Sequence, residues 1–302
     1  MSELPVPSAD GAPAVSVPAA PSAAPRLHPA IRVAILVLLL FCAVLSPSLV
    51  AVLPGMPSPE ERPVATLLVQ IVLHALVSLC AVLLLGGYAR WIERCRLREL
   101  GLRGSRRLLP LLAAGTGAAV VLAFLAHLLA RLLPGERVPA QAGGLPEDPA
   151  LFWPGLFLVL VSQPFLLQGF PEELVFRGAV LRTLGARPGL AIAVSTLVFG
   201  ALHLFSKGGQ QNLAEQLLYL LYPIALGFLA AVLVVSTRSL WIAVGVHGGF
   251  HVGTTLALLC LGGAPGPTEW ICGAVLFGGT GAALLLALHR RGLLRRPIVF
   301  AD

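Results

Sequence analysis

Eight stretches of this chain are so long and so apolar that they leave little choice of fold. They lie near residues 31–53, 64–88, 108–133, 151–183, 189–205, 213–235, 239–261 and 270–288. Each is long enough to cross, or nearly cross, a hydrocarbon core about 30 Å thick. Lipid offers the backbone no hydrogen-bond partners, so a segment inside it must satisfy its own N–H and C=O groups, which a helix does. The expected fold is therefore all-α, a polytopic transmembrane helix bundle of about eight spans. Composition agrees: 12% of residues are charged and the mean hydropathy is +0.88, whereas soluble domains carry about 25% charge.

The formal net charge of +7 and pI near 9.8 raise the question of nucleic acid. The positions of the charges answer it. Arginines sit at the ends of apolar runs, as loop charges do in multispan proteins, and no basic run is interleaved with aromatics. No nucleic-acid partner is expected. With the N-terminus inside, alternating loops place 17 of the 21 basic residues in the cytoplasm, leaving Arg62, Arg131, Arg137 and Lys207 outside. The expectation is a multi-pass protein of the cell (inner) membrane with both termini cytoplasmic. One lysine against twenty arginines, with abundant Ala, Gly, Pro and Leu, points to a bacterial source.

Residues 1–28 form a Pro/Ala-rich tail without periodicity, expected to be disordered. They do not read as a signal peptide, because no positive n-region opens them. N-terminal transmembrane helices follow over 29–140, a candidate catalytic core over 150–260, and a last span with a basic C-terminal tail over 261–302. The fourth run carries Pro154, Pro164 and Pro171, and is expected to break into a lead-in segment and a spanning helix. The five cysteines match no metal or redox spacing. A Cys260–Cys272 bridge across one outer loop is conceivable but disfavoured by spacing alone.

Within the fourth run, Gly169-Phe170-Pro171-Glu172-Glu173-Leu174-Val175-Phe176-Arg177-Gly178 places three ionisable groups in otherwise apolar sequence. A lone charge at the centre of a span costs about 3 kcal/mol on insertion scales, so such groups pair, line a wet cavity, or both. Glu173 and Arg177 are four apart, the spacing for an ion pair along a helix. Glu172, about 100° away, is then free to face a cavity.

Two further pieces fall at the same depth. Phe199-Gly200-Ala201-Leu202-His203 lies in the fifth run. Glu172 precedes Pro188 by 16 residues and His203 follows it by 15, so both sit about 23 Å from that turn. Val246-His247-Gly248-Gly249-Phe250-His251 in the seventh run puts two imidazoles on one helix face. Gly245, Gly249 and Gly253 form a small-residue stripe roughly opposite, suited to close helix packing. A carboxylate and three imidazoles at one level can activate water, hold an oxyanion or bind a divalent metal. His74 and His127, by contrast, read as hydrogen-bonded core residues.

Glu-Glu-x-x-x-Arg, then Phe-x-x-x-His, then His-x-x-x-His resembles the motif set of the CAAX-protease and bacteriocin-processing (CPBP, or Abi) intramembrane proteases over about residues 150–260. The resemblance implies an endopeptidase in which Glu172 activates water, Glu173 and Arg177 support it, and His203 assists. His247 and His251 then line the site as oxyanion stabilisers or metal ligands. His251 stands where Asn or Asp is usual, which tilts the donor set Glu172, His203, His247 and His251 towards a divalent metal such as zinc. The implied partner is a membrane-anchored protein or peptide substrate in the lipid bilayer. The alternatives are a proton-coupled transporter using the same buried Glu/His cluster and a catalytically inactive scaffold.

Overall fold

The computed structural model describes residues 25, 27–52, 54, 56–58, 60–133 and 148–300. Most of the Pro/Ala-rich tail, and Arg137 with its loop, lie outside the described residues. Eight helices are long and apolar enough to span a membrane: α1 (Pro29–Val50), α2 (Pro63–Glu93), α3 (Leu108–Leu132), α4 (Pro149–Thr183), α5 (Pro188–Phe205), α6 (Leu213–Thr237), α7 (Leu240–Leu261) and α8 (Pro267–Arg290). No strand occurs among the described residues. The expected all-α multispan architecture is thus the observed one.

Local chemistry sets the boundaries. Five of the eight helices open on proline, at Pro29, Pro63, Pro149, Pro188 and Pro267, where the missing N–H is one the first turn would leave unpaired anyway. Asn212 and Ser239 cap α6 and α7 by accepting from Glu215 N and Trp241 N. Arg238, in the left-handed conformation at φ 58°, ends α6 and lets α7 begin two residues later.

The fourth run departs from expectation. It does not break into two pieces but runs from Pro149 to Thr183 as one helix, with π-wound stretches over Leu158–Gly169 and Leu174–Val180. The wider winding takes a proline whose ring would clash with the carbonyl one α-turn back, so Pro164 bends the pitch rather than ending the helix.

The small-residue stripe on α7 finds its partner in α3, across the most extensive helix pairing among the described residues. A Cβ on Gly245 would strike Leu112 O, and one on Gly249 would strike Thr116 O. The two backbones therefore meet directly, which orients the opposite face of α7 towards α4 and α5.

One end of the bundle gathers the arginine-rich loops. Arg182 bridges Glu93 and Glu99, Arg238 donates to Pro297 O, Ile298 N donates to Gly185 O, and Phe300 packs on Gly101. Beside them Arg32 grips Glu93 through Nε and Nη2 at 2.6–2.8 Å. Tyr88 and Thr183 donate to the same carboxylate, so α1, α2 and α4 are pinned together there. By charge position alone Arg32, Arg182 and Arg238 count only as loop charges.

At the other end, His127 lies 2.7 Å from Glu269 Oε2 and 2.9 Å from Gly262 O. His74 bonds Ser162 Oγ at 3.0 Å. Both are hydrogen-bonded as expected, His127 buried and His74 half-buried. All five cysteines are free thiols, Cys260 and Cys272 included.

Candidate functional site

The ion pair foreseen along α4 is present, with Arg177 Nη1 3.0 Å from Glu173 Oε1. Glu173 and Arg177 are 1% and 0% exposed, so neither charge has recourse to water. The same Glu173 oxygen lies 2.9 Å from His247 Nδ1 on α7. Beside an arginine the carboxylate acts as acceptor, so Nδ1 carries the proton and Nε2 is left for the cavity side.

Arg177 leaves Nε and Nη2 without hydrogen-bond partners. Part of that deficit is met by the face of Phe199, whose ring centre is 4.4 Å from the guanidinium carbon. Phe199 also stands edge-on to His247 at 5.8 Å and lies 4.6 Å from the His203 ring. Its carbonyl accepts from His203 Nδ1 at 2.9 Å, which again assigns the proton to Nδ1 and frees Nε2. One aromatic residue of α5 thus touches the arginine and two of the imidazoles. Gly227 of α6 makes the room, since a Cβ there would lie 2.5 Å from Arg177 Nη2 and 2.8 Å from Phe199 Cδ1.

Glu172, His203, His247 and His251 all line a single cavity of about 570 Å³, walled by α1, α4, α5, α6 and α7. The Glu172 carboxylate makes no hydrogen bond or ion pair with another described residue. His251 stacks on His247 at 5.3 Å between ring centres and makes no hydrogen bond to a described residue. The six candidates therefore split into two groups. Glu173 and Arg177 are locked behind the wall, while Glu172 and the three histidines face the space.

Gln168 belongs to no motif of the sequence. It also lines the cavity, four residues before Glu172, and its Oε1 is buried without a partner. The available signal was its place on the carboxylate's side of α4 in an apolar run.

The metal alternative fits less well than the imidazole count suggested. Among the described residues no group of three or more His, Cys, Asp or Glu side chains is arranged to hold an ion. His251 stacks on His247, and the four candidate donors are spread over three helices rather than gathered about one point.

These features define a multispan helical protein with a buried carboxylate–imidazole cavity. Residues 150–253 match the model of the family described as Type II CAAX prenyl endopeptidase Rce1-like. That stretch, about a third of the chain, is similar to an Rce1-like domain and contains all six candidate residues. No curated protein and no solved structure matches the chain.

Proposed function

We propose that the protein is an intramembrane endopeptidase in which Glu172 activates a water molecule to cleave a peptide bond of a membrane-anchored or C-terminal protein segment. The observation that carries this reading is the meeting of Glu172, His203, His247 and His251 on one cavity in a membrane-spanning bundle. The family of residues 150–253 supports peptide-bond hydrolysis as the chemistry.

In this reading, water held between Glu172 and His203 Nε2 attacks the scissile carbonyl carbon and gives its proton to the Glu172 carboxylate. The carbonyl electron pair moves to oxygen, where an N–H of His251, beside His247 on the cavity wall, stabilises it. The C–N bond then breaks as the oxyanion collapses, and the proton on Glu172 passes to the leaving nitrogen. Glu173 is a positioning residue. It fixes the His247 ring by accepting from Nδ1. Phe199 positions His203 in the same sense.

The substrate is a protein segment in or at the bilayer of the cell membrane, and both termini face the cytosol. Support for that orientation is the 16-to-4 division of basic residues once Arg177, buried within α4, is set aside, together with the gathering of arginine-rich loops at one end.

Purified protein in detergent, offered a library of membrane-anchored peptides, tests the reading. Cleavage by the wild type, lost in Glu172→Ala and His203→Ala proteins that keep their thermal stability, is the expected result. No cleavage, with pH-driven solute uptake in liposomes, would favour a transporter. Treating the active sample with a chelator tests metal dependence separately.

A further inference from the structure

The cavity wall does not stop at the end of α5. Ser206 and Lys207, in the segment that follows, line it together with His203. That segment is remote from the arginine-rich end. α5 starts at Pro188, three residues after Gly185, whose carbonyl holds Ile298 of the C-terminal segment. It reaches Phe205 17 residues later, about 26 Å further on.

A second helix gives the same depth independently. α1 is fixed to the arginine-rich end by Arg32 and Glu93. The α1 side chains that line the cavity are Leu40, Phe41 and Val44. Phe41 and Val44 lie 9 and 12 residues beyond Arg32, about 14 and 18 Å along the axis, at and past the middle of a 30 Å core. Both are partly exposed, at 40% and 39%.

Basic loops mark the cytosolic side of a multispan protein. We infer that the cavity opens to the side of the membrane away from the cytosol, and that its substrates are membrane-anchored segments of exported proteins presented from the outer leaflet. The direction of opening rests on loop charge and cavity position alone. What happens to a segment that enters rests on the protease reading of the same site.

The chain supplies its own probe, because Lys207 is its only lysine and its side chain is exposed. A membrane-impermeant amine-reactive ester applied to right-side-out vesicles carrying the full chain should modify Lys207 and spare the N-terminal amine, as located by peptide mass mapping. Inside-out vesicles should show the reverse, and a Lys207→Arg protein should lose the right-side-out label. Labelling of Lys207 only from the cytosolic side would overturn the inference. In the same cells, two single-span reporters carry one cleavable segment in the outer or the inner juxtamembrane position. Cleavage of the outer reporter alone is expected, and cleavage of the inner one alone would also overturn the inference. Outside labelling of Lys207 with neither reporter cut would leave the opening established and count against the protease reading.

Discussion

The Glu173 carboxylate accepts a 2.9 Å hydrogen bond from His247 Nδ1, joining α4 to α7 at a point where both side chains are shut off from solvent. The oxygen that makes this bond also holds Arg177. The orientation of an imidazole on the cavity wall therefore depends on an ion pair that never reaches the cavity.

Removing one partner of such a pair leaves the other charge buried and uncompensated. Arg177→Ala should destabilise the protein by about 3–5 kcal/mol, visible as a lower detergent melting temperature, and should lower kcat along with it. An Arg177→Ala protein of wild-type stability and rate would show that the pair neither holds the fold nor orients His247.

Gly227 is the space in which Arg177 and Phe199 meet. Gly227→Ala should cost about 1–3 kcal/mol through overpacking and reduce turnover, because Phe199 cannot shift without moving His203. Gly279 of α8 has nothing within 4 Å of a Cβ position. Gly279→Ala is the matched control and should be neutral or slightly stabilising in the same melting experiment.

Gln168 lines the cavity one turn from Glu172, and its carboxamide oxygen is buried without a partner. A peptide that enters must replace the water lost from its backbone groups, and a carboxamide can both donate to and accept from them. Gln168→Leu should raise KM about three- to tenfold, the worth of one neutral hydrogen bond, and leave kcat near the wild-type value. Steady-state kinetics on a single cleavable peptide decides it, and an unchanged KM would remove Gln168 from substrate binding.

Glu99 lies outside the spans, and its acidity is set by a contest. Burial pushes its carboxyl upward, but the Arg96 backbone N–H and the Arg182 guanidinium outweigh it and hold the group below the ordinary value of 4.5. A lowered carboxylate pKa favours the folded state above that ordinary value, and the advantage is lost as pH falls through the lowered one. The melting difference between wild type and Glu99→Gln should therefore be steady from about pH 7 to about pH 5 and close below 4.5. It should be small throughout, because the group is partly exposed and screened.

Much of this was legible in the order of residues. The spans followed from apolar length. The glycine stripe of α7 announced a close partner without naming α3. The spacing of Glu173 and Arg177 gave their ion pair, and counting from Pro188 brought Glu172 and His203 to one level.

What escaped reading depends on distance along the chain. Arg32 and Glu93 are 61 residues apart and carry no local pattern that pairs them. His127 and Glu269 are 142 apart. Nothing local reveals that α4 absorbs Pro164 by π winding, or that Gly227 clears a place for an arginine of another helix. Such facts arise only when helices pack.

The first helix supplies a side of the cavity through Leu40, Phe41 and Val44, although the stretch that matches a known family begins at residue 150. A fragment trimmed to that stretch would keep every ionisable group of the site and lose the panel that shields them from lipid. Its glutamate would meet acyl chains where the whole protein encloses a chamber. The recognisable motif and the working compartment thus have different borders along the polypeptide.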